Sequence, residues 1–158
     1  MESTSETSTS TQASEKISRP SKGKVITQRI LSGLGFLLFA VFASVQTNDV
    51  SQYGTAGWLT DTWLIGYSIL SILCLYNALR PLPSKIFLIL AITTFTLAIF
   101  RGSQINWDNP LLCITAPKDF AERNPAGNET GGLIIITIWL LLLCWANKRI
   151  LKSKSITN

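Results

Sequence analysis

The chain of 158 residues contains no histidine and only three cysteines, and these two shortages limit its chemistry. Without histidine, the usual zinc sites of cysteine and histidine cannot be assembled, and the commonest general base near neutral pH is missing. Cys74 and Cys144 lie inside apolar segments and Cys113 lies alone between two of them, so they outline no disulfide framework. Phosphate-binding glycine motifs and zinc-protease motifs are also missing. The sequence therefore predicts no catalytic residues, no metal site and no cofactor.

Charge is scarce as well. Charged residues make up 15% of the chain, against about 25% in ordinary soluble domains, and hydrophobic residues make up 47%. The apolar residues are concentrated in four nearly uncharged segments, at 30–45, 63–79, 86–100 and 131–146. Soluble helices need a polar face, but these segments are apolar on every side. With flanking residues each approaches the length that crosses a bilayer, which predicts an all-α integral membrane four-helix bundle embedded in lipid. The predicted spans are 26–46, 62–79, 85–101 and 131–149.

The positive charge is unevenly distributed between the two sides that four alternating spans create. Eleven of the fourteen lysine and arginine residues fall on the side of the termini, and the other side holds Arg101, Lys118 and Arg123. Because basic residues concentrate in cytoplasmic segments, we predict that both termini lie in the cytoplasm. The basic segments carry no interleaved aromatic residues, so the net charge of +5 predicts no nucleic-acid partner. The eleven residues are Lys16, Arg19, Lys22, Lys24, Arg29, Arg80, Lys85, Lys148, Arg149, Lys152 and Lys154.

The segments outside the spans differ in composition. Residues 1–24 open with nine Ser or Thr among the first fourteen positions, which predicts a disordered tail. The first span carries small residues, among them Gly33 and Gly35, which let a neighbouring helix approach closely and favour a packed bundle. The other predicted divisions are a transmembrane domain at 25–150, an outer loop within it at 102–130, and a basic C-terminal tail at 151–158.

Three stretches carry a family resemblance. The first span ends in "FAVFASVQTND" (39–49), and the second opens with "WLIGY" (63–67), where Trp and Tyr are four residues apart. The last span opens with "ETGGLIIITIW" (129–139). Together these stretches resemble the transmembrane protein 220 family of small tetraspan proteins. The chain departs from the family pattern at Val50, where the family usually continues with Pro-Asp, and at Asn128, where the family often has Arg. The resemblance implies an integral membrane protein of four helices and assigns no biochemical activity.

Polar residues gather where the spans meet on the side away from the termini. On that side the first span ends, the second and fourth begin, and the third closes with Arg101. Four consecutive antiparallel spans bring these ends to one face of the bundle. Asp61 precedes the second span on the same side. The predicted polar cluster consists of Gln46, Asn48, Asp49, Trp63, Tyr67 and Glu129.

Two interpretations of this cluster compete. In the first, Asp61 and Glu129 cap the helices that follow them, an Asx turn forms after the first span, and an ion pair joins two helices. In the second, Asp49 and Glu129 together with the amides of Gln46 and Asn48 bind a cation or a polar lipid headgroup. Carboxylate and amide oxygens are suitable ligands for hard cations such as Ca²⁺ or Mg²⁺.

The function expected from the sequence follows from these two interpretations. We expect a small multi-pass membrane protein that acts as a structural or accessory component of a membrane assembly, with other membrane-protein subunits as partners and without catalysis. The alternative is a membrane protein, or a membrane enzyme, that uses the polar cluster on a cation or lipid headgroup. A membrane enzyme is disfavoured because no nucleophile–base pair is visible, and a channel or transporter is disfavoured because no Asp, Glu, Lys or Arg lies at mid-span depth.

Overall fold

Four long helices account for nearly all of the described chain. A computed structural model describes residues 21–47, 57–105 and 125–155, and the predicted N-terminal tail falls almost entirely outside these ranges. Each helix contains a stretch long and apolar enough to cross a membrane, and the described residues include no strand. The prediction of an all-α bundle with four membrane spans is therefore confirmed. The helices are α1 (Lys22–Gln46), α2 (Gly57–Leu79), α3 (Ser84–Gly102) and α4 (Pro125–Ser155).

The bundle consists of two antiparallel hairpins joined along one seam. α1 packs against α2, α3 packs against α4, and the two pairs meet where α1 lies against α4. α2 and α3 are consecutive in the chain but do not pack against each other. We call the end that carries Gln46 and Glu129 the outer end, and the end that carries Lys22 and Ile150 the terminal end. The central core comprises Phe39, Ala43, Tyr67, Cys74, Phe87, Ala91, Ile136, Leu140 and Leu143.

The surface of the bundle is apolar along its length. On α1, large aliphatic side chains recur every three to four residues on the outside of the bundle and remain about half exposed. In water such a continuous patch would be unfavourable, whereas in a bilayer it contacts lipid chains. The outward face of α1 is therefore a lipid-facing surface. Its members are Ile26, Ile30, Leu34, Leu37, Val41 and Val45.

The closest approach between helices occurs at Gly35 of α1. A Cβ atom placed on Gly35 would lie 2.3 Å from Trp139 Nε1 of α4 and 3.0 Å from Cys74 Sγ of α2. One turn away, the Ser71 hydroxyl donates a hydrogen bond to the Phe36 carbonyl at 3.0 Å. Three helices thus converge on a position where only hydrogen fits, as small residues allow in membrane bundles.

Three helices begin four to six residues before the predicted spans: α1 at Lys22, α2 at Gly57 and α4 at Pro125. α4 begins at Pro125, so residues 125–130 of the predicted outer loop form its first turns. At its other end α4 runs to Ser155, into the predicted C-terminal tail. Proline is favourable in a first helical turn because the N–H group that it lacks would have no intrahelical partner there. α2 begins at Gly57, which places Asp61 inside that helix. Hydropathy marks where a helix enters the membrane, and the polar turns beyond that point carry no such signal.

Candidate functional site

An ion pair closes the outer end between α3 and α4. Arg101, in the last turn of α3, donates through Nε to Glu129 Oε2, and its Nη1 donates to Gln104 Oε1. The Glu129 side chain is 11% exposed and that of Arg101 is 28% exposed. Arg101 also compensates the negative end of the α3 dipole. The pair therefore neutralises the carboxylate that the sequence offered as a cation ligand.

The two acids expected to cap helices do not do so. Asp61 and Glu129 are each the fifth residue of their helix, one turn beyond the capping position. The favourable effect of a helix dipole on a carboxylate falls off within the first turn. Asp61 is exposed, whereas Glu129 is bound by Arg101. The predicted capping role is therefore replaced at Glu129 by a helix-to-helix ion pair.

The predicted aromatic pair is part of the bundle interior. Tyr67 stacks with Trp63 at 5.7 Å between ring centroids and lies edge-on to Phe42 at 5.4 Å. Its hydroxyl oxygen would lie 2.9 Å from a Cβ atom placed on Gly132 of α4. Tyr67 is 6% exposed, so it bridges α1, α2 and α4 instead of lining an open surface. Trp63 and Tyr67 therefore stabilise the bundle, because aromatic packing of this kind contributes about 0.5–1.5 kcal/mol to stability beyond the effect of burial.

The structure thus brings together only part of the predicted polar cluster. Trp63 and Tyr67 are in contact, Glu129 contacts Arg101, and Gln46 is the partly buried last residue of α1 at the same end. Among the described residues, Gln46 and Glu129 are not hydrogen-bonded to each other. Asn48 and Asp49 lie outside the described residues, so their role remains a prediction. In the described part of the chain, no three Cys, Asp or Glu side chains are grouped closely enough to hold a metal ion.

A second polar site, at the terminal end, was not identified from the sequence. Its four side chains, which we call the amide cluster, have no exposed surface at all. Asn77 Nδ2 donates to Ser32 Oγ at 2.7 Å, and Gln28 Nε2 donates to the backbone carbonyl oxygen of Asn77 at 2.6 Å. The side chain of Asn147 donates to Asn77 Oδ1 at 2.7 Å. The amide cluster, Gln28, Ser32, Asn77 and Asn147, therefore links α1, α2 and α4.

The amide cluster also fixes the turn between α2 and α3. The Leu82 backbone N–H donates to Asn77 Oδ1 at 2.9 Å, and Asn147 Nδ2 donates to the Leu82 carbonyl at 2.8 Å. Two asparagines from different helices thus satisfy both polar groups of one turn residue. The sequence signal was present, because amides in or beside an apolar span are costly unless they find partners. It was missed because Gln28 and Asn147 lie in the polar margins of their spans.

The comparison with known proteins agrees with this architecture. The sequence model of a family described as "Transmembrane family 220, helix" matches residues 38–145, which is more than half of the chain. The matched region includes the aromatic pair, the outer ion pair and Asn77, and it ends just before Asn147. Among curated proteins and among solved structures, nothing matches the chain.

Proposed function

We propose that this protein, which belongs to transmembrane family 220, acts as a structural or accessory component of a membrane assembly and performs no catalysis of its own. One observation carries the proposal: the polar side chains at both ends of the bundle bind one another across helices. Arg101 is paired with Glu129 at the outer end, and Asn77 with Asn147 at the terminal end. Groups used in this way hold helices in register.

These internal contacts fit a protein that acts through its outer, lipid-facing surface. With Arg101 paired to Glu129 and Asn77 to Asn147, the bundle offers the bilayer long apolar faces such as that of α1. Contacts within a membrane depend on packing and on small residues, because lipid chains are as apolar as leucine. A rigid bundle with such faces can associate laterally with other membrane subunits. We expect the partners to be membrane-embedded helices.

The ion pair gives the first test. Glu129→Gln and Arg101→Gln are each expected to lower the free energy of unfolding by about 1–2 kcal/mol, because each change leaves the partner charge without its counter-ion. The double variant is expected to lose less than the sum of the two. Unfolding of the purified chain in mixed micelles measures both effects. Asp61→Asn, which removes an exposed acid at the same end, is the matched control and should change stability by less than about 0.5 kcal/mol.

The alternative function, binding of a cation or headgroup by Gln46, Asn48, Asp49 and Glu129, makes a different prediction. It is supported by the position of Gln46 at the same end of the bundle as Glu129. If it is correct, Ca²⁺ or Mg²⁺ will raise the Tm of the wild type, and an Asp49→Asn/Glu129→Gln variant that still folds will lose this response. An accessory protein should show no such response in either form.

The accessory role is tested directly by native mass spectrometry of the protein released from its own membrane. We expect a complex with another membrane subunit, at a fixed ratio that survives purification. A protein that leaves the membrane only as a monomer would contradict the accessory role, even if the ion-pair results are as expected.

A further inference from the structure

A cleft separates the first turns of α1 from the last turns of α4 at the terminal end. Its volume is about 150 Å³. Small residues, Gly23 on α1 and the buried Ala146 on α4, leave the space between the two helices open. We call this feature the terminal cleft. It is lined by Gly23, Lys24, Thr27, Trp145, Ala146 and Arg149.

The charge in the terminal cleft is of one sign. Lys24 lines it from α1 and Arg149 from α4, and none of the six lining residues is acidic. The Arg149 guanidinium carbon lies 4.0 Å from the centroid of the Trp145 ring, a cation–π contact that holds the guanidinium in place. A guanidinium fixed in this way can present two parallel N–H groups to one phosphate.

The start of α1 adds to the positive potential. Ser21, the residue before the helix, makes no capping side-chain hydrogen bond to α1, and no acidic residue lies in the first turn. The partial positive charge of this helix end is therefore not compensated by its own sequence. It reinforces Lys24 and Arg149 instead of creating a site by itself.

The membrane places lipid beside this cleft. The apolar spans run from Lys22 to Gln46 and from Glu129 to Ile150, so Lys24 and Arg149 lie within the outermost turns of their spans. These turns are at headgroup depth, where tryptophan and basic residues commonly anchor. About two turns further in, Ile30 of α1 and Leu142 of α4 are exposed on the surface of the bundle, at the depth of the hydrocarbon. A lipid can therefore place its headgroup in the cleft and its acyl chains along the apolar faces.

We propose that the terminal cleft binds the phosphate of an anionic glycerophospholipid from the leaflet on the side of the chain termini. Lys24 and Arg149 contact the phosphate oxygens from opposite walls, and Trp145 supports the guanidinium and packs against the glycerol region. This site is separate from the outer polar cluster and does not depend on the accessory function.

Binding is measured on the full chain, purified in a non-ionic detergent, by native mass spectrometry with added phosphatidylglycerol or phosphatidylcholine. The micelle of a non-ionic detergent carries no charge and does not itself attract the anionic lipid. Lipid that stays bound to the protein therefore reports a site on the protein. We expect one phosphatidylglycerol per chain, held more tightly than phosphatidylcholine. Lys24→Gln/Arg149→Gln should weaken this binding about thirty-fold, the loss expected for two cations near an anionic headgroup.

Two further variants make the result specific. Lys85→Gln/Lys148→Gln removes the same charge from exposed positions outside the cleft and should change affinity less than about twofold. Thr27→Trp keeps both cations but fills the cleft from an exposed position, and it should also release the lipid. Unchanged unfolding of each variant shows that the fold persists.

Three outcomes would overturn the proposal. One is an equal loss in the Lys85/Lys148 control, which would mean general charge attraction. Another is equal retention of phosphatidylglycerol and phosphatidylcholine by the wild type. The third is binding of soluble glycerol phosphate as tight as that of the lipid, because the site would then be a phosphate site without a role for acyl chains.

Discussion

Gly35→Ala is expected to lower the free energy of unfolding by about 2–3 kcal/mol, the upper part of the range for an overpacked core. The added methyl group would lie 2.3 Å from Trp139 Nε1, far inside van der Waals contact. The Cys74 sulfur lies 3.0 Å from the same Cβ position, so a second helix is also too close to the added methyl group. Relief requires Trp139 to leave its rotamer or α1 to move away from α4. Either change opens the seam that joins the two hairpins.

Gly33→Ala, two residues away on the same helix, is the matched control. A Cβ atom there meets nothing within 4 Å, so alanine should raise stability by about 0.5–1 kcal/mol through its higher helix propensity. Unfolding of both variants in mixed micelles, followed by circular dichroism, gives the comparison. If Gly35→Ala is as stable as Gly33→Ala, then α1 and α4 are not in the close contact described.

Asn77→Leu is expected to cost about 2–3 kcal/mol, although leucine is similar in size and more apolar. The Asn77 side chain bonds Ser32, Asn147 and the Leu82 backbone. Its loss leaves the buried Asn147 Oδ1 and the half-buried Leu82 N–H without a hydrogen-bond partner, whereas Asn147 Nδ2 keeps its bond to the Leu82 carbonyl. Each group left unsatisfied costs about 1–3 kcal/mol. Interhelical hydrogen bonds in membranes average only about 0.6 kcal/mol, which keeps the estimate at the lower end of that sum.

The cluster nature of this site predicts non-additivity. Asn147→Leu should cost about 1–2 kcal/mol alone, and the double variant should cost less than the sum, because the second change removes a group already orphaned by the first. Thr96→Val serves as the control: its exposed hydroxyl bonds only its own helix, to the Ile92 carbonyl, so the change should stay within about 0.5 kcal/mol. Additive losses at Asn77 and Asn147 would show that the two amides do not act together.

Most of the fold was predictable because its signal is local. A run of apolar residues without a polar face is stable as a helix only when lipid or protein surrounds it, whatever the rest of the chain does. The four spans therefore followed from hydropathy alone. Helix ends were harder to predict, because polar turns such as the first turns of α4, from Pro125, lie before the apolar run. The placement of both termini in the cytoplasm stays a prediction from the distribution of lysine and arginine.

Less of the candidate site than of the fold could be predicted from the sequence. Trp63 and Tyr67 were recognised as a pair because four residues make one helical turn. That Tyr67 is buried against Gly132 depends on how α2 lies beside α4, which no local pattern contains. Arg101 and Glu129 were expected at the same end, and the structure made them partners. Gln28 and Asn147 were not recognised as a site, since they are 119 positions apart in the sequence.

The sequence by itself determined that this chain is a four-helix membrane protein, to which family it belongs and which residues lie near each end of the bundle. Hydropathy, charge and short motifs carry that information because each depends on neighbouring residues only. The tertiary structure alone decided which polar groups pair with one another and which can still bind a ligand. Glu129 is neutralised by Arg101, and Asn77 is hydrogen-bonded to Asn147, whereas Lys24 and Arg149 line a cleft whose lining contains no acid. The physical reason is that pairing requires contact between helices, and their packing is set by shape at positions such as Gly35.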